Sequence, residues 1–447
     1  MTGKTKTFFA PLFLLAVLLS VLFAPPPAYA VTIERVISTG GIEAWLVRDH
    51  TNPIITMRFA FRGGAALDPE GRGGLANMVS TLLDEGAGDL DSKTFQGRLE
   101  DLVITLHFDA GRDNFGGRLR TLVENKATAF DLLTLALTRP RFDAEPMERI
   151  RSQLLSSLRQ EAEEPNAIAG KTLFKTLFPA HPYGRPVGGT LETVAAITQA
   201  DLKGFAQRRL AKDNLTIGVV GDITAEALKT VLDKIFGGLP AKAGAWAIPE
   251  AVLEGQGRTV VVTKPAPQSA IIFADKGLKR QDKDFYAAFV MNHVLGGGGF
   301  TSRLYNTVRE ERGLAYSVYS TLHPLDRAGL IFGGAGTANK SASETIAVMR
   351  AEWTRMARKG MSEKELADAK TYLTGSYPLS FTSSSRIASM LIGIQMDNLG
   401  IDYPDRRNGL IEAVTLDDVN RLARKLLRPD MLTVVVVGQP DGVKSTN

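Results

Sequence analysis

Two stretches of the chain carry the same alternation of apolar and polar positions. In the first, Thr198 and Asp201 precede a helix-period stripe that runs to Leu210. Asp213 follows, and then an apolar, largely β-branched run over 215–220 that is stopped by Gly221. In the second, Thr415 and Asp418 precede a stripe that runs to Leu427, followed by Asp430, the run 432–437 and Gly438. The two copies lie 217 residues apart. Thr198, Asp201, Ala206, Leu210, Asp213, Leu215, Thr216, Val219, Val220 and Gly221 each meet an identical residue without a gap. A threonine with an acid three positions later is a helix start: the hydroxyl accepts a free backbone N–H, and the carboxylate suits the positive end of the helix. A short β-branched run closed by glycine is a buried strand. Identity of this density marks a duplicated helix–strand unit.

The same reading extends outward. Period-2 or continuous apolar runs predict strands near 41–47, 54–62, 103–110 and 114–119, and again near 259–263, 269–274, 315–321 and 328–334. Helical stripes predict helices over 73–85, 124–137 and 146–162, and over 284–295, 341–359 and 363–376. A Gly/Pro/Ala-rich stretch, 239–256, reads as a linker. The expected organisation is therefore a domain over 31–238, the linker, and a second domain over 257–447. The expected fold class is α+β, with two homologous domains.

The first thirty residues stand apart. Lys4 and Lys6 precede an apolar run over 8–24, and Ala28 and Ala30 supply a small-residue cleavage signal. That grammar is a secretory signal peptide, with the mature chain beginning at Val31. Periplasmic or secreted localisation is the expectation, with no membrane association once the leader is cleaved. The remaining 417 residues are too many for one ordinary core. Their apolar (44%) and charged (23%) fractions, taken over the whole chain, are those of a globular protein. The leader holds two lysines and no acid, which leaves the mature chain at +3. With no dense basic run, this balance gives no warrant for nucleic-acid binding.

The chain has no cysteine, which excludes disulfides, thiolate nucleophiles and cysteine-ligated zinc. Its five histidines, His50, His107, His181, His293 and His323, include no pair within two helical turns. No local metal-ligand pair exists, and each histidine alone reads as a surface or packing residue. Gly296, Gly297, Gly298 and Gly299 form a glycine loop. A phosphate loop of the P-loop type would continue as Gly-Lys-Ser/Thr, but Phe300-Thr301-Ser302-Arg303 follows, which rejects nucleotide binding of that kind.

The duplicated halves, Arg62-Gly63-Gly64-Ala65 ahead of Gly74-Leu75-Ala76, His181-Pro182-Tyr183-Gly184, the glycine loop, and Arg309-Glu310-Glu311-Arg312-Gly313-Leu314-Ala315-Tyr316 occur together in one order. In this the chain resembles the M16 (pitrilysin/insulinase-like) zinc peptidases over nearly its whole mature length. The resemblance implies two similar domains forming a clam-like half chamber. Active members carry an inverted H-x-x-E-H motif on the first long helix, whose spacing sets two imidazoles on one face and a glutamate beside the zinc-bound water. The matching positions here are Asn77, Ser80 and Thr81. The resemblance therefore implies a subunit with no zinc or catalytic glutamate of its own. Zinc would be held by an H-x-x-E-H homologue in a heterodimer acting on peptides.

Arg309 and Tyr316 match the pair that active members use to bind substrate, and the glycine loop is a candidate substrate loop by the same resemblance. Without the family, Arg309 would read as a surface ion pair with a neighbouring glutamate and Tyr316 as strand packing. Gly313 argues that the helix ends before Tyr316 opens a strand. His181-Pro182-Tyr183-Gly184 reads as a structural turn. The competing readings are a non-enzymatic peptide-binding or assembly protein and a peptidase with a rebuilt metal site.

Overall fold

The computed structural model describes residues 31–446, and the expected leader, 1–30, lies outside them. Ile33–Asn447 forms one compact unit. Its first sheet is built from β1 (Glu34–Ile37), β2 (Glu43–Arg48), β3 (Ile54–Arg62), β4 (Thr105–Ala110), β5 (Asn114–Leu122) and β6 (Leu215–Gly221), in the order β1-β2-β6-β3-β5-β4. Its second sheet is built from β7 (Thr259–Thr263), β8 (Gln268–Lys276), β9 (Ala315–Pro324), β10 (Gly329–Ala338) and β11 (Thr433–Gly438), in the order β7-β11-β8-β10-β9. With β1 set aside the two orders are the same. Each holds one parallel pair, β2–β6 and β7–β11, among antiparallel neighbours. The fold is the expected α+β class: two like halves in one clam-like body.

The repeated helix starts are reciprocal capping boxes. The Asp201 N–H donates to Thr198 Oγ1 at 3.2 Å and the Thr198 N–H donates to Asp201 Oδ2 at 2.9 Å; the Thr415–Asp418 pair repeats both bonds at 3.1 Å. Each box satisfies N–H groups that a helix leaves unpaired at its start. Each sheet carries its half's helices on one face. Leu75, Met78, Val79, Leu133 and Leu202 pack with Phe59, Phe61 and Phe115 in the first half; Trp353, Met356 and Leu422 pack with Phe273 in the second.

The opposite face of each sheet is covered from the other half. The helix Pro165–Leu177 of the first half lies on β8 and β11, where Ala169, Leu173, Leu177 and Phe178 join Ile272, Leu330, Val435 and Val437 in a third core. The helix Ser384–Met396 of the second half lies on β3 and β6. Arg58 Nη1 donates to Ser389 Oγ at 2.7 Å, and Gln395 Nε2 donates to the Ile217 carbonyl at 3.1 Å. Gly218 makes room for this helix: a Cβ there would sit 2.9 Å from Leu391 Cβ and 3.2 Å from the Ala388 carbonyl oxygen. The halves thus exchange one helix each.

Two predicted helices end early. The stripe over 73–85 becomes the helix Leu75–Ser80, because the chain tightens there: the Leu82 N–H bonds the Val79 carbonyl three residues back at 3.0 Å. The stripe over 284–295 becomes Phe285–Asn292 followed by a π-helical turn, His293–Gly297.

Candidate functional site

The helix Leu75–Ser80 carries the positions that matter for a metal. It has no side-chain cap of its own at Gly74. Asp68, upstream, serves instead: its carboxylate accepts the Gly74 N–H at 2.9 Å and the Ala76 N–H at 3.0 Å. Arg185, just past the His181-Pro182-Tyr183-Gly184 turn, holds that loop by donating to the Asp68 and Ala66 carbonyls, both at 2.9 Å.

Burial lifts the Asp68 carboxyl to about 7, against the pull of its two N–H donors and of Arg185. The folded state therefore keeps a proton that the unfolded chain releases near pH 4, and stability falls as pH rises from about 4 to 7. Across that window Asp68 should cost on the order of 2–4 kcal/mol. Urea unfolding at intervals from pH 4 to 8 should show a fall that Asp68→Asn removes; parallel pH curves for the two proteins would refute it.

The motif positions do not fit zinc. Ser80 is buried and its hydroxyl donates to the Asn77 carbonyl at 2.8 Å. The Thr81 hydroxyl turns back to the Met78 carbonyl at 3.0 Å and the Asn77 carbonyl at 3.3 Å. Two hydroxyls spent on their own helix and an amide replace two imidazoles and a carboxylate. The helix Ala144–Glu161, which touches this one, has no carboxylate between Glu148 and Glu161. Glu148 is paired with Arg151 at 3.1 Å and Glu161 with Lys171 at 2.7 Å. Among the described residues no group of three His, Cys, Asp or Glu side chains is placed to hold a metal ion.

The second half holds a different cluster. A π-helical segment, Tyr305–Glu310, ends before Gly313, whose φ is +62°, and β9 opens at Ala315. The reversal folds Tyr316 back over Arg309. The guanidinium carbon lies 4.8 Å from the Tyr316 ring centre and 4.9 Å from that of Tyr305. Phe300 meets Tyr305 edge-on at 4.9 Å. Tyr316 is 78% exposed and stands on the edge strand of its sheet. The ion pair of Arg309 with Glu310 is long, 3.7 Å. A cation between two ring faces is held in place by the rings' quadrupoles. Tyr305 was missed in the sequence, although it sits four residues before Arg309, the spacing that stacks side chains on a helix.

The glycine loop is packed rather than loose. A Cβ at Gly296 would fall 2.7 Å from the Ser320 nitrogen, one at Gly297 2.7 Å from Asn292 Nδ2, and one at Gly298 2.8 Å from the His293 carbonyl oxygen. Only Gly299, at φ +58°, faces open space. The loop is thereby fixed between β9 and the end of the helix Phe285–Asn292, and Phe300 projects from its end, 75% exposed.

The remaining singled-out residues are structural. His181 Nδ1 accepts the Tyr183 N–H at 3.1 Å; Tyr183 OH donates to Asp113 at 2.6 Å and accepts the Arg327 N–H at 2.9 Å, joining the halves. His293 stacks on Tyr372 at 5.1 Å, and burial lowers its tendency to protonate. Among the described residues no hydrogen bond or ion pair connects Asn77, Ser80 or Thr81 with Arg309 or Tyr316.

The duplicated α+β fold and the motif helix without metal-binding side chains agree with the resemblance to a metallopeptidase fold that lacks its metal site. Residues 196–373 match the family described as "Peptidase M16 inactive domain". Over that segment, two-fifths of its length, the chain is similar to the M16 peptidases in a domain described as inactive. It is 28% identical over 427 residues to the "Non-peptidase homolog YmxG" of Helicobacter pylori, covering 95% of this chain and 98% of that one. It is 29% identical over 330 residues to the "Uncharacterized zinc protease YmxG" of Bacillus subtilis, covering 71% and 76%. Among solved structures, an M16 inactive domain from Pseudomonas fluorescens superposes with TM-score 0.84 at 26% identity, over 93% of this chain and all of that one. The periplasmic protease PqqL of Escherichia coli shares the fold, with TM-score 0.77 at 16% identity; the alignment covers 92% of this chain and 46% of that protein.

Proposed function

We propose that this chain is the substrate-binding subunit of a heterodimeric zinc peptidase whose metal and catalytic glutamate reside in an H-x-x-E-H partner. The observation that carries the reading is the Arg309–Tyr316 pair: a guanidinium fixed between two rings, beside an exposed phenol, in a chain whose own motif helix has no ligands. Peptide hydrolysis builds negative charge on the carbonyl oxygen, and a guanidinium and a phenol O–H are donors suited to it. Guanidinium remains charged at any working pH. The glycine loop and Phe300 would border the bound peptide on the β9 side. No cofactor is assigned to this chain itself.

Export to the periplasm and removal of residues 1–30 belong to the same reading; among the described residues no helix is long and apolar enough to cross a membrane. Native protein should begin at Val31, carry well under one equivalent of zinc, and cleave no peptide until the partner is added. N-terminal sequencing, metal analysis and a peptide-cleavage assay check this. A retained leader would refute export with cleavage, and tightly bound zinc with chelator-sensitive activity in the lone chain would refute the division of labour.

A further inference from the structure

The two halves differ at one matched place. In the first half a groove lies between the end of β3, the start of β5 and the end of the helix Gln199–Arg209. The chain itself fills it. The Gly244 N–H donates to the Arg208 carbonyl at 2.7 Å, Arg209 Nη1 donates to the Gly244 carbonyl at 3.3 Å, and Trp246 lies against Gly63, 3.8 Å from where a Cβ would stand. The second half has the same frame at the end of β8, the start of β10 and the end of the helix Leu416–Leu426. The turn is even closed by the same bond, Gly63 N–H to the Asp113 carbonyl at 2.7 Å in one half and Gly277 N–H to the Gly329 carbonyl at 2.8 Å in the other.

Here the groove is open, a cleft of about 600 Å³. The stretch after β11 does not enter it but turns back along β7, where the Thr446 N–H donates to the Thr259 carbonyl at 2.8 Å and Ser445 Oγ accepts the Val261 N–H at 2.9 Å.

The open cleft is strongly basic. Lys276, Lys279, Arg327, Lys425 and Arg428 line it, against two carboxylates, Glu250 and Asp282. Lys279 and Arg327 share Glu250, and Arg428 is held by the buried Asp275 beneath it at 2.5 Å. Among the described residues Lys276 and Lys425 have no carboxylate within 4.0 Å, and both side chains are exposed. The five cations outnumber the three carboxylates beside them, Glu250, Asp275 and Asp282, so the cleft keeps a net positive charge, with Lys276 and Lys425 the two cations not ion-paired.

We propose that this cleft binds an extended acidic segment of a second polypeptide, lying where residues 244–246 lie in the first half. The twin groove shows that the frame accepts a passing chain through a backbone hydrogen bond to the helix end, the Gly244 N–H to the Arg208 carbonyl; Lys425 stands at the position matching Arg208. The lysines and arginines select carboxylate side chains on it. The site is separate from Arg309 and Tyr316 and needs no zinc partner, so the test uses this chain alone.

A fluorescent peptide of alternating glutamate and alanine is titrated into the mature protein and followed by anisotropy at low and at moderate salt. Saturable binding that weakens with salt is expected, with none for a lysine/alanine peptide. Lys276→Glu with Lys425→Glu should weaken it about tenfold or more, and Lys276→Ala with Lys425→Ala by less. Thermal unfolding of each variant checks that the fold is kept, and both lysines being exposed favours that. Equal affinity in wild type and the double glutamate variant overturns the proposal. So does saturable binding of pyrophosphate with none of the peptide, which would make the cleft a small-anion site.

Discussion

On the proposed function, Tyr316→Phe should lower kcat of the proposed heterodimer about a hundredfold, with little change in KM. The substitution keeps the ring, and with it the contact over Arg309 at 4.8 Å. It removes one donor O–H from an exposed position. A donor that acts on the developing oxyanion contributes in the transition state and not to ground-state binding, so its loss falls on kcat. Loss of one such donor costs about 10²–10³ in rate, and the low end applies here because Arg309 remains. Arg309→Lys should also slow turnover, since an ammonium offers neither the planar fork nor the stacking face that the two tyrosines grip. Heterodimer formation is measured in the same samples. If both variants assemble and cleave at the wild-type rate, the pair has no part in the reaction, and a scaffold role for this subunit becomes the better reading.

Leu391→Ala should destabilise the chain by about 2–5 kcal/mol, although Leu391 belongs to one half and the sheet it covers to the other. Leu391 is fully buried in the helix Ser384–Met396. Gly218→Val should cost about 1–3 kcal/mol by the opposite route, driving a Cβ to 2.9 Å from Leu391 Cβ. The repeat places Val435 at the position matching Gly218, so a side chain there suits the strand itself and only the covering helix forbids it. Leu391→Ala keeps the Cβ but removes Cγ and both Cδ atoms, one of which would stand 3.4 Å from the new Cβ, so room opens for the valine methyls. The two changes should compensate in part: the double variant should be more stable than the sum of the singles by about 0.5 kcal/mol or more. Urea unfolding of the four proteins measures this. Strict additivity would mean that Gly218 and Leu391 do not share one contact.

The duplication was legible because its signals are local. A capping threonine, an acid at the third position and a β-branched run need no knowledge of the rest of the chain. Ten of the eleven strands followed for the same reason, most within two residues of their observed ends; β1, Glu34–Ile37, was not predicted. The exchanged helices were not legible. An apolar stripe states that one face of a helix is buried, and nothing in 165–177 or 384–396 states that the burying sheet lies in the other half. The shortening of the motif helix also escaped the pattern, since the apolar period continues through Leu82 and Leu83 while the hydrogen bonds tighten.

The site divided along the same line. That Asn77, Ser80 and Thr81 offer neither imidazole nor carboxylate is read from residue type, once the resemblance has matched them to the motif. That Arg309 is clasped by two tyrosines depends on the reversal at Gly313, which sequence marks only as a break. The packing of Gly296, Gly297 and Gly298 against Ser320, Asn292 and His293 was equally hidden, because a run of glycines looks the same whether it is free or wedged.

The helix exchange also bears on how the protein comes into being. Gly218 leaves the ribosome 166 residues before Ser384, the first residue of the helix that will cover it. At roughly 5–20 residues per second, the back of the first sheet stays bare for about ten to thirty seconds. A contact so distant along the chain forms late and slowly. The first half therefore cannot mature as an independent folding unit ahead of the second, and the nascent chain presents an uncovered apolar sheet face until nearly all of it has been made.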